Sequence, residues 1–385
     1  MKDKVKLLRI STVPHSLHLL LRGQIKYMGD HGFEVYMASA NDNSVAALEK
    51  NEGAKHFSIP LNRKLNVFKD LVALYYTVKL IRRLKPHIVH THSPKAGVVG
   101  MMAAWLCNVK LKVHTVAGLP LVEETGLKRK LLILVEKVTY LFSDWVLPNS
   151  QEQMEFIKLN IYSGKKIRMI GRGSSNGIDL DFFCKHEGYL IERNNLRKDY
   201  NIANEDVVLT FVGRLAHYKG INELVAAFKH LCTKHSNIKL LLVGPLEDLN
   251  PLKPETIDEI DSNNSIITTG HVEDVRPFLN ISDVFVFPSY REGFPQSLMQ
   301  ACAYKLPCIA TDINGCTEII FDNVNGYIIP AKNVTELIKR CETLINDSDK
   351  RISLGENGRR YLEDNFEQKQ FWDKLKNFYM EGLNR

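Results

Sequence analysis

The sequence predicts an α/β protein built from two doubly wound parallel sheets. Short β-branched runs alternate with longer stretches of helical period along nearly the whole chain, the pattern of parallel sheets covered by helices on both faces. At 385 residues and 44.0 kDa the chain has the length of two or three ordinary domains. The alternation weakens once, through the polar segment from Cys184 to Asp206, and then restarts. Two Rossmann-like domains follow from these observations, with their sheet carboxyl edges expected to face each other across a cleft.

In the first half the expected strands are 5–11, 33–39, 56–60, 87–92, 111–116, 144–148 and 167–170, with helical stretches between them. Six or seven strands make one sheet. The second half offers 207–214, 238–244, 265–269, 283–288 and 307–311. The expected domains are residues 1–185 and 186–365, and a C-terminal helix over 366–385 is expected to pack back on the first domain. Ligands of such sheets bind outside the carboxyl ends of the strands, so the loops after these strands carry the search for function.

Composition narrows the classes. Charged residues make up 25% and hydrophobic residues 44%, which fits neither a disordered chain nor a polytopic membrane protein. The longest uncharged run, Ala96 to Val109, is interrupted by Gly97 and Gly100 and is shorter than the ~20 apolar residues of a bilayer span. The amino terminus enters a strand-like segment with no apolar signal region, so a cytoplasmic protein is expected. Seven cysteines, none in a Cys-x-x-Cys, read as reduced packing residues. A net charge of +7 favours anionic partners, and without a nucleic-acid-binding signature those are nucleotides, phosphates or acidic membrane surfaces.

Two loops hold the charge expected of a site. Gly213-Arg214-Leu215-Ala216-His217-Tyr218-Lys219-Gly220 lies between an apolar strand and a helix, where free amides and the helix dipole attract anions. Arg214 offers a planar fork and Lys219 a mobile point charge, a pair suited to a diphosphate. Glu292-Gly293-Phe294-Pro295 follows the strand 283–288, with Pro295 suited to open a helix that carries Gln300. Glu292 can accept from sugar hydroxyls, the amides near Gly293 and Phe294 can approach a ligand, and Gln300 can face the cleft. Each loop alone also reads as solvated side chains.

Asn176-Gly177-Ile178-Asp179, the Gly-Arg-x4-Lys-Gly loop, Gly270-His271-Val272 and Glu292-Gly293-Phe294-Pro295 resemble, in order and spacing, the retaining family 4 glycosyltransferases of the GT-B fold. His90-Thr91-His92-Ser93-Pro94-Lys95-Ala96-Gly97 and His114-Thr115-Val116-Ala117-Gly118-Leu119 look like acceptor-side segments of bacterial surface-polysaccharide (capsule or O-antigen) members. The resemblance implies that Arg214 and Lys219 bind the donor diphosphate, that Glu292 orients the donor sugar, and that Gly213, His271, Val272, Gly293, Phe294, Pro295 and Gln300 hold the donor. It places His15, His92, Lys95, His114 and Gly118 on the acceptor side or in the sugar pocket. It implies a metal-free transfer from a nucleotide-sugar, most simply a UDP-sugar, to a polyprenyl-diphosphate-linked saccharide. Three departures stand out: Gln300 where relatives often carry Glu, Ala117 where many carry His, and Thr12-Val13-Pro14-His15-Ser16 in place of a Gly-rich turn. A nucleotide-sugar epimerase on the same fold and a non-catalytic nucleotide-sugar-binding protein remain the alternatives.

Several motifs read otherwise. Asp179-Leu180-Asp181 spells a metal-binding D-x-D, but its place at the domain junction suits a turn or cap. Gly171 to Gly177 nearly matches a dinucleotide fingerprint, with its third glycine late and no amphipathic helix following. His90 and His92 share a strand face without a third ligand in view, so at least one is expected to hydrogen-bond in the cleft. The basic and apolar stretch from Lys128 to Phe142, and a second basic helix with Lys69, Lys79, Arg82, Arg83 and Lys85, read either as packed helices with solvated ends or as a docking face for the anionic inner leaflet.

Overall fold

Hydrocarbon on both faces of its strands makes each sheet an inner layer. The computed structural model describes residues 4–62, 66–119, 121, 125–185 and 188–384, the side chain of Leu19 apart. The chain divides into two compact units, Met1–Gly177 with Gln368–Arg385, and Ile178–Glu367. The division falls earlier than the expected 185/186 boundary, because Ile178, Leu180 and Phe183 already belong to the second unit's core. Within the polar segment 184–206, residues 186 and 187 lie outside the described ones.

The first unit's strands are β1 (Val5–Ile10), β2 (Phe33–Ser39), β3 (Lys55–Ser58), β4 (Ile88–His92), β5 (Leu111–Val116) and β6 (Trp145–Pro148). They pair in parallel in the order β3-β2-β1-β4-β5-β6. Its helices are α1 (Pro14–Leu20), α2 (Gln24–Asp30), α3 (Val45–Glu52), α4 (Val67–Leu84), α5 (Pro94–Leu106), α6 (Gly126–Phe142) and α7 (Gln151–Asn160). Alternation along β1 sends Leu7 into a core shared with Ile25, Met28, Phe371 and Leu375, and Leu8 and Ile10 into one shared with Ile81, Val99 and Ala103. The expected strand 167–170 is only a bridge between Ile167 and Val146, a correction that leaves six strands.

The second unit holds α8 (Tyr189–Asp199), β7 (Val207–Val212), α9 (Ile221–Cys232), β8 (Ile238–Val243), α10 (Pro254–Ser262), β9 (Ile266–Gly270), α11 (Arg276–Ile281), β10 (Val284–Phe287), α12 (Gln296–Ala303), β11 (Cys308–Thr311), β12 (Gly326–Ile329), α13 (Val334–Asn346) and α14 (Ser348–Asn365). Its parallel sheet runs β12-β11-β10-β7-β8-β9. Strand β12 was not expected from the sequence: only four residues long, it is announced by no alternation. The last helix, α15 (Gln368–Leu383), belongs to the first unit, where Phe371, Trp372, Leu375, Phe378 and Tyr379 join the core beneath β1 and β5.

Candidate active site

Strand β7 (VVLTFV) is buried along its length, which fixes the point where its following loop starts. That loop ends in a 3-10 turn at His217–Lys219, and Gly220 caps α9. Gly220 has φ +72°, and a Cβ there would stand 2.1 Å from the Pro288 carbonyl oxygen. At Gly244, φ +141°, a Cβ would stand 2.0 Å from the Gly213 oxygen. Any side chain at either position would push apart the loops after β7, β8 and β10, so glycine sets their spacing.

Within that spacing Lys219 Nζ lies 2.5 Å from Glu292 Oε1, and Ser289 Oγ donates to the same oxygen at 2.7 Å. Asn314 Nδ2 donates to the carbonyls of Glu292 and Gly293 at 3.3 and 3.4 Å, holding the turn that aims the carboxylate. Arg214 is 57% exposed and gives Nη1 to Glu247 Oε1 at 2.9 Å. The Glu247 side chain is only 12% exposed, but solvent at the guanidinium end screens the pair and lets Arg214 turn to an incoming diphosphate. The Tyr218 ring stands at the centre, with Arg214 Cζ, Lys219 Nζ and Arg291 Cζ at 5.8, 5.5 and 4.2 Å from its centroid. Burial pushes the Tyr218 hydroxyl up to about 12, so it stays a neutral donor, here to Glu247 Oε2 at 3.2 Å.

The other expected donor residues surround these loops. Gly213 directly follows β7, with its amide bonded to the Val243 oxygen at 2.9 Å. His271 is exposed and Val272 half-buried in the turn after β9. Phe294 is buried, its ring 5.3 Å from that of Phe366. Pro295 caps α12 and does not open it as its first residue, and its carbonyl accepts from the Met299 amide at 3.4 Å. Gln300 lies half-buried on α12. Asp179 of the D-x-D Oδ1-accepts from the amides of Asp181 and Phe182 at 3.1 and 2.9 Å, which makes it a turn cap.

In the first unit the expected residues separate. His15 is exposed on α1, and Gly118 is half-buried in the loop after β5, which runs into residues outside the described ones. Lys95, in the first turn of α5, gives Nζ to Asp70 Oδ1 at 2.8 Å and Asn62 Oδ1 at 2.9 Å. His90, His92 and His114 are buried in the sheet. His90 bonds Tyr379 Oη at 2.5 Å and Thr115 Oγ1 at 2.7 Å, so the expectation of a histidine open to the cleft from this strand gives way to a core network. His92 Nε2 faces Arg9, and His114 Nδ1 lies 2.8 Å from Thr91 Oγ1. Burial lowers all three, His114 to about 3, and keeps them neutral.

Sequence reasoning missed Tyr218, Glu247, Ser289, Arg291 and Asn314. Two signals were present: an aromatic residue between His217 and Lys219, and an arginine directly before Glu292. The rest is contact between loops far apart in sequence.

Comparison with known proteins gives these loops their context. Residues 20–182 match the family described as Glycosyltransferase Family 4, and residues 192–361 match Glycosyl transferases group 1. The chain is 32% identical over 376 residues to the capsular polysaccharide biosynthesis glycosyltransferase CapM of Staphylococcus aureus, covering 97% of this chain and 96% of that one. It is 29% identical over 340 residues to the Escherichia coli UDP-Gal:alpha-D-GlcNAc-diphosphoundecaprenol alpha-1,3-galactosyltransferase, covering 86% and 85%. The crystal structure of Anabaena HepE with UDP and glucose superposes with a TM-score of 0.82 at 18% identity, covering 98% of this chain and 100% of that one, a likeness of fold. The fold is GT-B, two Rossmann-like units each on a parallel six-stranded sheet. With similarity spanning both units, the chain belongs to the family 4 glycosyltransferases.

Proposed function

We propose that this glycosyltransferase moves a sugar from a UDP-sugar to a hydroxyl of a polyprenyl-diphosphate-linked saccharide, with retention at the anomeric carbon and without a metal ion, in the assembly of a cell-surface polysaccharide. The cluster of Arg214, Lys219 and Arg291 about Tyr218, beside Glu292, carries this reading. Three cations at the carboxyl edge of a doubly wound sheet suit a nucleoside diphosphate that gains charge as it departs. The bond from the anomeric carbon to the β-phosphate oxygen breaks, and its electron pair leaves with UDP. The acceptor oxygen bonds to that carbon, and its proton passes to the departing diphosphate. Lys219 and Arg214 stabilise that charge. Glu292, held on one oxygen by Lys219 and Ser289, receives the sugar hydroxyls on the other. The main chain at Gly270, His271 and Val272 takes the base, with Gln300 at the ribose.

The names of the Escherichia coli and Staphylococcus aureus relatives support the UDP donor, the lipid-linked acceptor and the capsular setting. Membership in a family of transferases favours neither an epimerase nor a non-catalytic sensor. A donor panel offered with polyprenyl-diphosphate saccharides, with products read by mass spectrometry and anomeric coupling by NMR, tests the reading. One UDP released per retained glycosidic bond, undiminished by chelator, is expected. Donor consumed without acceptor would overturn it.

The first unit is also proposed to rest on an anionic inner leaflet. Helices α4 and α6 both pack on α5, and they expose Phe68, Leu71, Tyr75, Leu127, Leu131 and Leu134 beside Lys69, Lys79, Lys128 and Lys130. Among the described residues no helix is long and apolar enough to cross a membrane. Cosedimentation with anionic but not neutral vesicles at low salt is expected, and equal recovery with both counts against docking.

A further inference from the structure

Strand β1 carries an arginine where a strand buried on both faces has hydrocarbon. Arg9 lies on the same face as Leu7, towards α2 and α15, and is wholly buried. Its donors go to neutral groups. Nε and Nη2 lie 3.2 and 2.9 Å from His92 Nε2, Nη2 also donates to Gln24 Oε1 at 2.6 Å, and Nη1 donates to Tyr379 Oη at 3.1 Å. Among the described residues no carboxylate bonds to it. Glu52 acts on it only through space, with its two oxygens accepting from the amides of Gly23 and Lys26 at 2.7 and 3.2 Å. A guanidinium remains protonated even where burial disfavours its charge, so a cation sits in this core without a counter-charge in contact.

The hydrogen bonds also leave donors over. His92 Nε2, lying between two guanidinium nitrogens, must accept, which places its proton on Nδ1. That Nδ1 is buried and has no partner among the described residues. One of the two Nη1 protons of Arg9 is equally uncommitted, since among the described residues Nη1 bonds only Tyr379. Arg9 and His92 line one cavity of about 10 Å³, room for a single small occupant. Ser174 borders it as well, and because its Oγ accepts from the amides of Asn176 and Gly177 at 3.3 and 3.1 Å, its hydroxyl proton is left to give.

The place is one where sheets of this kind take ligands. Strand order reverses between β1 and β4, where Arg9 and His90 are register partners and His92 ends β4, so the cavity lies by the carboxyl ends at the topological switch point. We propose that this cavity is a site for one small monovalent anion of chloride size, held by Arg9 Nη1 and His92 Nδ1 with the Ser174 hydroxyl as a third donor. Water would satisfy the donors and leave the charge; a halide does both. Because Gln24 of α2 and Tyr379 of α15 share the same guanidinium, the anion stabilises the packing of both helices on the sheet, in proportion to its occupancy.

All three tryptophans, Trp105, Trp145 and Trp372, lie in the first unit, so their fluorescence reports its unfolding. Full-length protein is melted in sodium chloride, bromide and gluconate at equal ionic strength, and crystals grown in bromide are measured at the bromine edge. A saturable rise in Tm with chloride and bromide but not gluconate is expected, with an anomalous peak between Arg9 and His92. Arg9→Gln is expected to abolish the halide response. Should that variant fail to fold, His92→Met, whose thioether leaves Arg9 a weak acceptor and carries no donor, is expected to raise the half-saturating halide concentration at least tenfold. Equal melting in chloride and gluconate, a bromide crystal without that peak, or a full halide response in the folded variants would overturn the site.

Discussion

Lys219 Nζ and Glu292 Oε1, 2.5 Å apart, join the loop after β7 to the loop after β10, with both side chains only 14% exposed. Removing one partner leaves the other charge half-buried, so the two single variants are expected to behave as one defect. Lys219→Ala and Glu292→Gln should each lower kcat by about 10²–10³, and the double variant by far less than the product of the two. Steady-state kinetics of the four proteins checks this. Fully multiplicative losses would mean that the two residues act independently.

The glycine that spaces the loops makes a second prediction. Gly244→Ala puts a methyl group 2.0 Å from the Gly213 oxygen, at a φ that disfavours any side chain. Donor affinity should fall more than tenfold, with about 1–3 kcal/mol lost from the second unit. UDP titration calorimetry and urea unfolding measure the two effects.

Acid should unfold the first unit from within. His90, His92 and His114 are held neutral by burial, with folded pKa values below the ordinary 6.5, to about 3 for His114. The unfolded chain therefore binds more protons. Their contribution is complete above pH 6.5 and is lost as pH falls below it, by about 2 kcal/mol at pH 5 for His114, with His90 and His92 acting in the same direction. Urea unfolding followed by tryptophan fluorescence at pH 7.5 and pH 5 checks the loss, and His114→Asn should reduce it.

Glu136 on α6 acts in the opposite direction. Burial raises its carboxyl from 4.5 to about 7, with the Tyr140 hydroxyl offsetting part of the rise. Stability from this group is full below pH 4.5 and falls as pH rises to 7, by up to about 3 kcal/mol. Glu136→Gln should therefore stabilise the protein at pH 8 and give no gain at pH 4, as denaturant melts at the two values would show.

What the sequence discloses follows from how local each feature is. Strands such as Val207–Val212 and Val284–Phe287 are legible because buried parallel sheets favour near-continuous runs of hydrocarbon. Arg214, Lys219 and Glu292 stand out because charge beside glycine after such a run has little structural reason. Strand β12 is too short to show a period, and 167–170 has strand composition without a neighbour to pair along its length. Tyr218 and Arg291 meet only because their loops converge, 4.2 Å from guanidinium to ring. Arg9 was in plain view as a charge inside an apolar strand, yet its meaning depends on Gln24, His92 and Tyr379, which the fold alone assembles.

Replacing Arg214 separates turnover from folding, because its side chain is 57% exposed while its proposed contact with the leaving diphosphate strengthens as the glycosidic bond breaks. The measurement is kcat of Arg214→Ala with saturating UDP-sugar and lipid-linked acceptor in the presence of EDTA. A fall of about 10² or more, with Tm unchanged within about 2 °C, is predicted. Turnover at the parent rate would contradict the account.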